Sequence, residues 1–253
     1  MDYRTSGAIY NYAHSTVALD GGTLYSNSAR LGGGLFNGGT ATLNNVTLTG
    51  NPAARDGGGI YNLDGTATLT NTTLSGNSVA QDGGGIYTFA GTVALTNVTL
   101  SGNSAAHDGG GIYNDAGMTT LTNVTLTGNS AAHDGGGIYH YSAYGQTLSL
   151  KNTIVANSPS GWNCYTTSNG LVAANDSNLS SDASFCPAHY SQSLLLGPLA
   201  NNGGPTLTHM PQPGSPAIDH GLGCPATDQR GAARPVDPTC DIGAVEAEAR
   251  VQP

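Results

Sequence analysis

An all-β solenoid of three-stranded coils is predicted by three observations: a short word returns every 25 or 26 residues, three β-type runs fill each return, and no run is long enough for a helix. The word is Asp-Gly-Gly-Gly-Ile-Tyr, at 56–61, 82–87, 108–113 and 134–139. With the variant triplet Gly32-Gly33-Gly34, the first glycines fall at 32, 57, 83, 109 and 135, giving steps of 25, 26, 26 and 26. Ser6-Gly7-Ala8-Ile9-Tyr10-Asn11 is a degenerate copy one step earlier, so six coils are readable.

Within 83–108 the runs are Gly85-Ile86-Tyr87-Thr88, Thr92-Val93-Ala94-Leu95-Thr96-Asn97 and Val98-Thr99-Leu100-Ser101, punctuated by Gly91, Asn97 and Gly102-Asn103. Three short strands per ~26-residue coil make a parallel β-helix, each strand pairing with its copy one coil away at roughly 4.8 Å. A leucine-rich repeat needs a leucine framework that glycine triplets and threonine runs do not supply. The crossover preference makes the helix right-handed, with about six to eight coils expected.

Period-two alternation sorts the faces. Ile60, Ile86, Ile112 and Ile138 point inward, with Leu69, Leu95 and Leu121 from the second run and Leu48, Leu74, Leu100 and Leu126 from the third. Val46, Val98, Val124, Ala67 and Val93 complete a thin core. Asn45, Asn71, Asn97 and Asn123 fall at the bend between the second and third runs, where stacked amides are expected to form a ladder.

The outward columns carry the candidate chemistry. Phe36, Tyr61, Tyr87, Tyr113 and Tyr139 form a column of rings, with Arg55, Gln81, His107 and His133 and the acids Asp56, Asp82, Asp108 and Asp134 at its rim. Tyr61, Tyr87, Tyr113 and Tyr139 are the candidate ligand-binding residues: glycine leaves room beside them, and exposed rings beside a groove suit sugar stacking, the other reading being a self-stacked ladder. Carboxylates about 5 Å apart match the spacing of retaining glycosidases. Asp82, Asp108 and Asp134, with His107 or His133 as base, are therefore the candidate catalytic set, and the same three acids are candidates for calcium. The structural reading is that each Asp bonds the amides of its own glycine triplet. Lyase chemistry on uronic acids needs cations, and Arg4, Arg30, Arg55 and Lys151 are scattered.

Threonines form two further arrays: Thr68, Thr70, Thr96, Thr120 and Thr122 on the second run, and Thr47, Thr49, Thr73, Ser75, Thr99, Ser101, Thr125 and Thr127 on the third. Such a lattice resembles the ice-binding face of β-helical antifreeze proteins, although threonine is also a common exposed strand residue.

Seven Lys+Arg stand against 16 Asp+Glu, a formal charge of −9, which excludes nucleic acid and anionic membrane surfaces as partners. Only 9% of residues are charged and 38 are glycine, too polar for membrane insertion and too regular for disorder. Cys164, Cys186, Cys224 and Cys240 lack zinc-site spacing and pair most simply as 164–186 and 224–240. Disulfides imply an oxidising compartment. Because Met1 begins almost inside a coil without an apolar leader, the chain is read as trimmed from a longer exported protein.

After Gln146-Thr147-Leu148-Ser149-Leu150-Lys151-Asn152 the words change. Residues 1–157 are read as repeats, 158–200 as a disulfide-closed excursion containing Trp162, and 201–253 as a cap over the open end of the solenoid. In the last segment, Asn202-Gly203-Gly204-Pro205-Thr206-Leu207-Thr208-His209, Pro213-Gly214-Ser215-Pro216-Ala217-Ile218-Asp219, Thr227-Asp228-Gln229-Arg230-Gly231 and Cys240-Asp241-Ile242-Gly243-Ala244-Val245-Glu246 occur in order. Together they resemble the choice-of-anchor domain that ends many bacterial surface proteins with right-handed β-helix repeats. The resemblance covers roughly the last quarter and implies a secreted or surface-attached bacterial protein without implying a chemistry. Asp228, Arg230, Arg234, Asp241 and Glu246 are read as ion pairs that pin this segment. Ser215 with Asp219-His220 lacks the elbow of a hydrolase nucleophile.

The expected function is an exported surface module that binds extended polysaccharide along its Tyr/Asp face. A polysaccharide lyase or glycoside hydrolase, and an ice-binding protein, are the alternatives. End-to-end self-association through the exposed first coil is a further expectation.

Overall fold

The computed structural model describes residues 7–142, 147–167, 171–174, 177–184, 186–236 and 239–247. Arg4, Ser6 and Gln146 lie outside them. The protein is an all-β parallel solenoid of about six turns, with no helix among the described residues.

Three sheets run along its length. The first stacks Ile9–Asn11, Leu35–Asn37, Ile60–Leu63, Ile86–Phe89, Ile112–Asp115, Ile138–Tyr141 and Cys164–Thr166. The second contains the next two runs of every coil, which in two coils merge into single strands, Thr92–Ser101 and Met118–Thr127, bent where Asn97 and Asn123 take positive φ. A third, narrow sheet was not expected: Ala29–Leu31, Pro52–Asp56, Ser78–Val79, Ser104–Ala105 and Ser130–Ala131 close each coil before the next glycine triplet. Pairing is parallel and in register by the repeat, so Ile86 lies beside Ile60 and Ile112, and Leu95 beside Leu69 and Leu121.

Register puts like residues on like, and the core follows. Ile60, Ile86, Ile112, Ile138, Leu48, Leu74, Leu100 and Leu126 are all fully buried, as are Ala67, Leu69, Leu121, Val98 and Val124. Burying each large aliphatic contributes about 1.5–3 kcal/mol. Thr72 stands where three other coils have Val46, Val98 and Val124, and its Oγ1 donates to its own coil at Thr70 O, 2.9 Å away.

The glycine triplets belong to this packing and leave no space for a ligand. Gly57 has φ +66°, and a Cβ on Gly58 would lie 2.4 Å from Gly84 O. Only a residue without a side chain lets successive coils approach so closely.

The asparagine ladder lies mainly elsewhere than at the bend. Asn45, Asn71, Asn97 and Asn123 serve the bend through φ of 51–56°, and Asn97 Nδ2 reaches Asn71 Oδ1 only at 3.4 Å. The continuous ladder is Asn27, Asn51, Asn77, Asn103 and Asn129, linked Nδ2 to Oδ1 at 2.8–3.0 Å. These residues follow the positive-φ glycines Gly50, Gly76, Gly102 and Gly128 from Asn51 onward, which turn the side chain into the interior. There the second Nδ2 hydrogen finds a leucine carbonyl in an adjacent coil, as Asn103 does at Leu74 O, 3.0 Å. A full set of partners is what makes a buried amide tolerable.

The segment read as a disulfide-closed excursion continues the solenoid. Cys164–Thr166, Leu171–Ala174 and Leu179–Ser180 add to the first and second sheets, and Cys164 takes the inward isoleucine position opposite Ile138. Both disulfides form as paired above, Cys164–Cys186 and Cys224–Cys240.

The last segment is not seated as an end cap. A hairpin of Leu196–Ala200 and Thr208–Pro211 starts it, and it then runs along the side of the solenoid over the third-run threonines. Thr73 Oγ1 donates to Leu207 O at 2.6 Å, Asn97 Nδ2 to Thr227 O at 2.8 Å, and Ala244 N to Thr125 Oγ1 at 3.0 Å. Ile242 and Ala217 form a second apolar cluster with Ile154, Ala156 and Leu179. The rows of hydroxyls attract this segment because they present regularly spaced donors and acceptors on one flat face.

Candidate functional site

The outward face of the first sheet carries the aromatic column, which is longer than the repeats indicated. Tyr10, Phe36, Tyr61, Tyr87, Tyr113, Tyr139 and Tyr165 stack with centroids 4.4–5.4 Å apart and planes within 2–17°. One-to-one register places each ring over its copy, and stacking fixes the tilt. Of the two readings of this column, the self-stacked ladder is the one observed. Ring faces are turned to one another, so an incoming sugar meets ring edges and hydroxyls. Tyr165 was missed because Cys164 replaces isoleucine and no glycine triplet precedes it.

Carboxylates flank the column. Asp82 Oδ1 accepts the backbone N–H of Asp108 at 3.0 Å, Asp108 Oδ1 that of Asp134 at 2.9 Å, and Asp56 Oδ1 that of Asp82 at 3.4 Å. This corrects the expectation that each Asp holds its own glycine triplet. The glycine N–H groups are taken by carbonyls one coil on, Gly83 N donating to Asp108 O and Gly84 N to Gly109 O, both at 3.1 Å. Asp56, Asp82 and Asp108 thus each link two coils through one oxygen.

Burial raises the Asp56 carboxyl to about 6, against the opposing pull of Arg55, whose Nε lies 3.3 Å from it. Asp82 is raised by burial first, with the charge of Asp108 adding to it. On the other side Tyr87 Oη donates to Asp115 Oδ2 at 3.1 Å, and burial also lifts Asp115. The phenols respond to the same surroundings. Burial and then the charge of Asp56 push Tyr61 up to about 12, and Tyr87 and Tyr113 rise as well through burial and the neighbouring acids.

His107 and His133 are exposed and stack on each other at 5.3 Å, in one rim column with Arg55, whose Nε donates to Gln81 Oε1 at 3.1 Å. The candidate catalytic residues Asp82, Asp108, Asp134, His107 and His133 therefore share a rim as parallel ladders. The acids sit in copies of one turn, although burial raises Asp56 and Asp82 above the ordinary carboxylate range. Among the described residues no three His, Cys, Asp or Glu side chains form a group able to hold a metal ion.

The third-run threonine array is closed to solvent over most of its length: Thr73 and Thr99 are fully buried under the last segment. The second-run array stays open, with Thr68 and Thr120 exposed, but Ala94 and Met118 interrupt it. In the last segment Ser215 Oγ donates to Leu194 O at 2.6 Å and His220 Nδ1 lies against Ile218 O, so these residues are engaged as structural partners. Arg230 pairs with Asp228 at 2.8 Å and Arg234 with Glu246 at 3.3 Å, as expected, whereas the Asp241 carboxylate accepts the amides of Asp219 and Ala247. No helix among the described residues is long and apolar enough to cross a membrane.

Coils in register, a continuous aliphatic core and ladders of like residues define a parallel β-solenoid whose side faces carry its surface chemistry. The chain belongs to the right-handed β-helix family: the family described as right handed beta helix region matches residues 7–178. No curated protein and no solved structure matches the chain. The fold is that of a structural or carbohydrate-related protein, and its two disulfides are compatible with an oxidising, extracellular setting.

Proposed function

We propose that this chain is an exported bacterial surface module, structural or adhesive, that binds extended polysaccharide along the Tyr/Asp face. The four ordered motifs of the last segment support kinship with choice-of-anchor domains and hence the surface setting. The observation that carries the binding reading is the line of phenol edges from Tyr61 to Tyr165 between two sets of carboxylates, repeated at one coil per step. Such a line offers acceptors and donors at fixed intervals to a polymer of regular repeat, and exposed Phe89 and Tyr141 add apolar area on the same sheet. Its negative potential favours neutral or amino sugars over uronic acids.

The test is a glycan array run with calcium and with chelator, together with a screen for reducing-end and unsaturated products. Tyr113→Phe and Asp82→Asn, which keep the stack and the backbone bond, are run alongside. Retention of neutral or amino glycans that weakens in both variants supports the reading. Silence across the array, or binding indifferent to both substitutions, refutes it, and product formation moves the rim acids to catalysis.

A further inference from the structure

The aromatic column has chemistry that sugar recognition does not use. Six of its seven rings are phenols, and five of them form one face-to-face path from Tyr61 to Tyr165 with successive centroids 4.8–5.1 Å apart. Phe36 joins this run to Tyr10, at 5.4 and 4.4 Å, and Tyr12, 69% exposed, leans on Tyr10 at 4.5 Å. A ring at the surface is thus connected through π contacts to rings that are mostly covered. Phenols are among the most easily oxidised side chains, and overlap between parallel rings lets an electron vacancy move from one to the next. While it moves, the vacancy is a positive charge, and the flanking carboxylates Asp56, Asp82, Asp108 and Asp115 lower its energy along the partly buried path.

An oxidised phenol is a strong acid and is stabilised where its proton has somewhere to go. At Tyr87 that acceptor is already in place, since its Oη donates to Asp115 Oδ2 at 3.1 Å. Tyr87 is also only 9% exposed, which protects a radical from quenching by solutes.

We propose that the column is a redox-active site that gathers one-electron oxidising equivalents and holds them on Tyr87 as a neutral tyrosyl radical, with Asp115 receiving the phenolic proton. The co-reactant is a one-electron oxidant, such as a ferryl haem, a carbonate radical or a trivalent ruthenium polypyridyl complex. One electron leaves the column and reduces the oxidant by one unit. Intermediate phenols are oxidised and refilled in turn, and the electron tunnels past Phe36, whose ring these oxidants do not oxidise. The O–H bond of Tyr87 breaks, its proton passes to Asp115 Oδ2, and the carboxylate becomes a neutral acid. This inference stands apart from the glycan reading, because it concerns ring faces and not ring edges.

The test uses the intact chain and photogenerated ruthenium(III) tris(bipyridine), with the radical followed by transient absorption and freeze-quench electron paramagnetic resonance. Tyr87→Phe keeps the stack, Asp115→Asn keeps the shape of the acceptor, and Tyr25→Phe removes a phenol that is 68% exposed and outside the column. Circular dichroism confirms that each variant is folded. The expected result is a long-lived radical that is lost in Tyr87→Phe, several-fold shorter-lived in Asp115→Asn, and unchanged in Tyr25→Phe. A radical that persists in Tyr87→Phe, or that disappears with Tyr25→Phe, overturns the proposal, because oxidation then follows exposure and not the column.

Discussion

Thr99 Oγ1 donates to Gln229 Oε1 at 2.7 Å, joining the middle of the solenoid to a residue 130 positions later in the chain. Gln229 is fully buried, and its Nε2 donates to Thr73 Oγ1 at 2.8 Å and to Thr206 Oγ1 at 2.9 Å. One side chain thus ties two coils to two parts of the last segment. Gln229→Ala leaves hydroxyls on three threonines to re-pair and opens a buried gap, at a cost of about 2–3 kcal/mol. Urea denaturation should show that loss, and limited proteolysis should cut the last segment earlier than in the parent. A variant as stable and as resistant as the parent would remove Gln229 from this role.

Asn103→Ala interrupts the interior amide ladder. Asn77 N and Nδ2 both lose their acceptor, at 3.0 and 2.8 Å, in a site without water-exposed alternatives. The expected destabilisation is about 2–4 kcal/mol, from unsatisfied donors and the lost volume together. Asn97→Ala should cost less, since Asn97 gives up one short side-chain bond, to Thr227 O at 2.8 Å, and its Oδ1 has no partner to lose. Equal thermal shifts in the two variants would contradict the assignment of the ladder.

Asp108→Asn keeps an oxygen for the Asp134 N–H and removes one of the stacked charges, so folding should be retained or slightly improved. Asp108→Ala should destabilise by about 1 kcal/mol, the worth of the inter-coil bond. Differential scanning calorimetry of the pair separates the charge from the bond; if Asp108→Asn is the more damaging, the carboxylate has a further partner.

Acidity should stabilise this fold between pH 8 and pH 5. Asp56 and Asp241 are both raised to about 6, mainly by burial, while the unfolded carboxyl titrates near about 3.9. The folded state binds these protons more tightly, so the contribution is complete below the unfolded value and is lost as pH rises through about 6. Asp82 and Asp115 act in the same direction. His209 opposes them: burial lowers it, and protonating it as pH falls is unfavourable in the folded state. With four acids against one histidine, the melting temperature should rise on acidification, and Asp56→Asn should reduce that rise. A flat profile from pH 8 to 5 would contradict it.

The coils were legible because they are written several times over. Ile86 and Leu100 could be placed inward from alternation alone, and each copy corroborated the next. Asn103 was less legible, since Gly102-Asn103 is both a common turn signal and, here, the entry to a ladder; only depth distinguishes the two. The seat of the last segment had no periodic signature. Gln229, Thr206 and Leu207 meet the coils through contacts whose partners are 130 or more residues away, as with Leu207 and Thr73, separated by 134. Of the candidate site, the columns and their members could be read, but not the direction of the ring faces, which depends on the tilt set by neighbouring rings.

The lateral course of the last segment affects how the molecule comes apart. A bare solenoid touches only its neighbours turn by turn, and it can fray from either end in steps. Here bonds from the same segment reach Asn71 through Thr206 and Asn152 through Gly243, so turns that do not touch one another are held by a common strap. Unzipping from the carboxyl end must detach that strap before the turns beneath it can separate. An additive stack of weak units is thereby converted into a body that opens all at once across its middle turns, leaving the turns before Asn45 to fray by themselves.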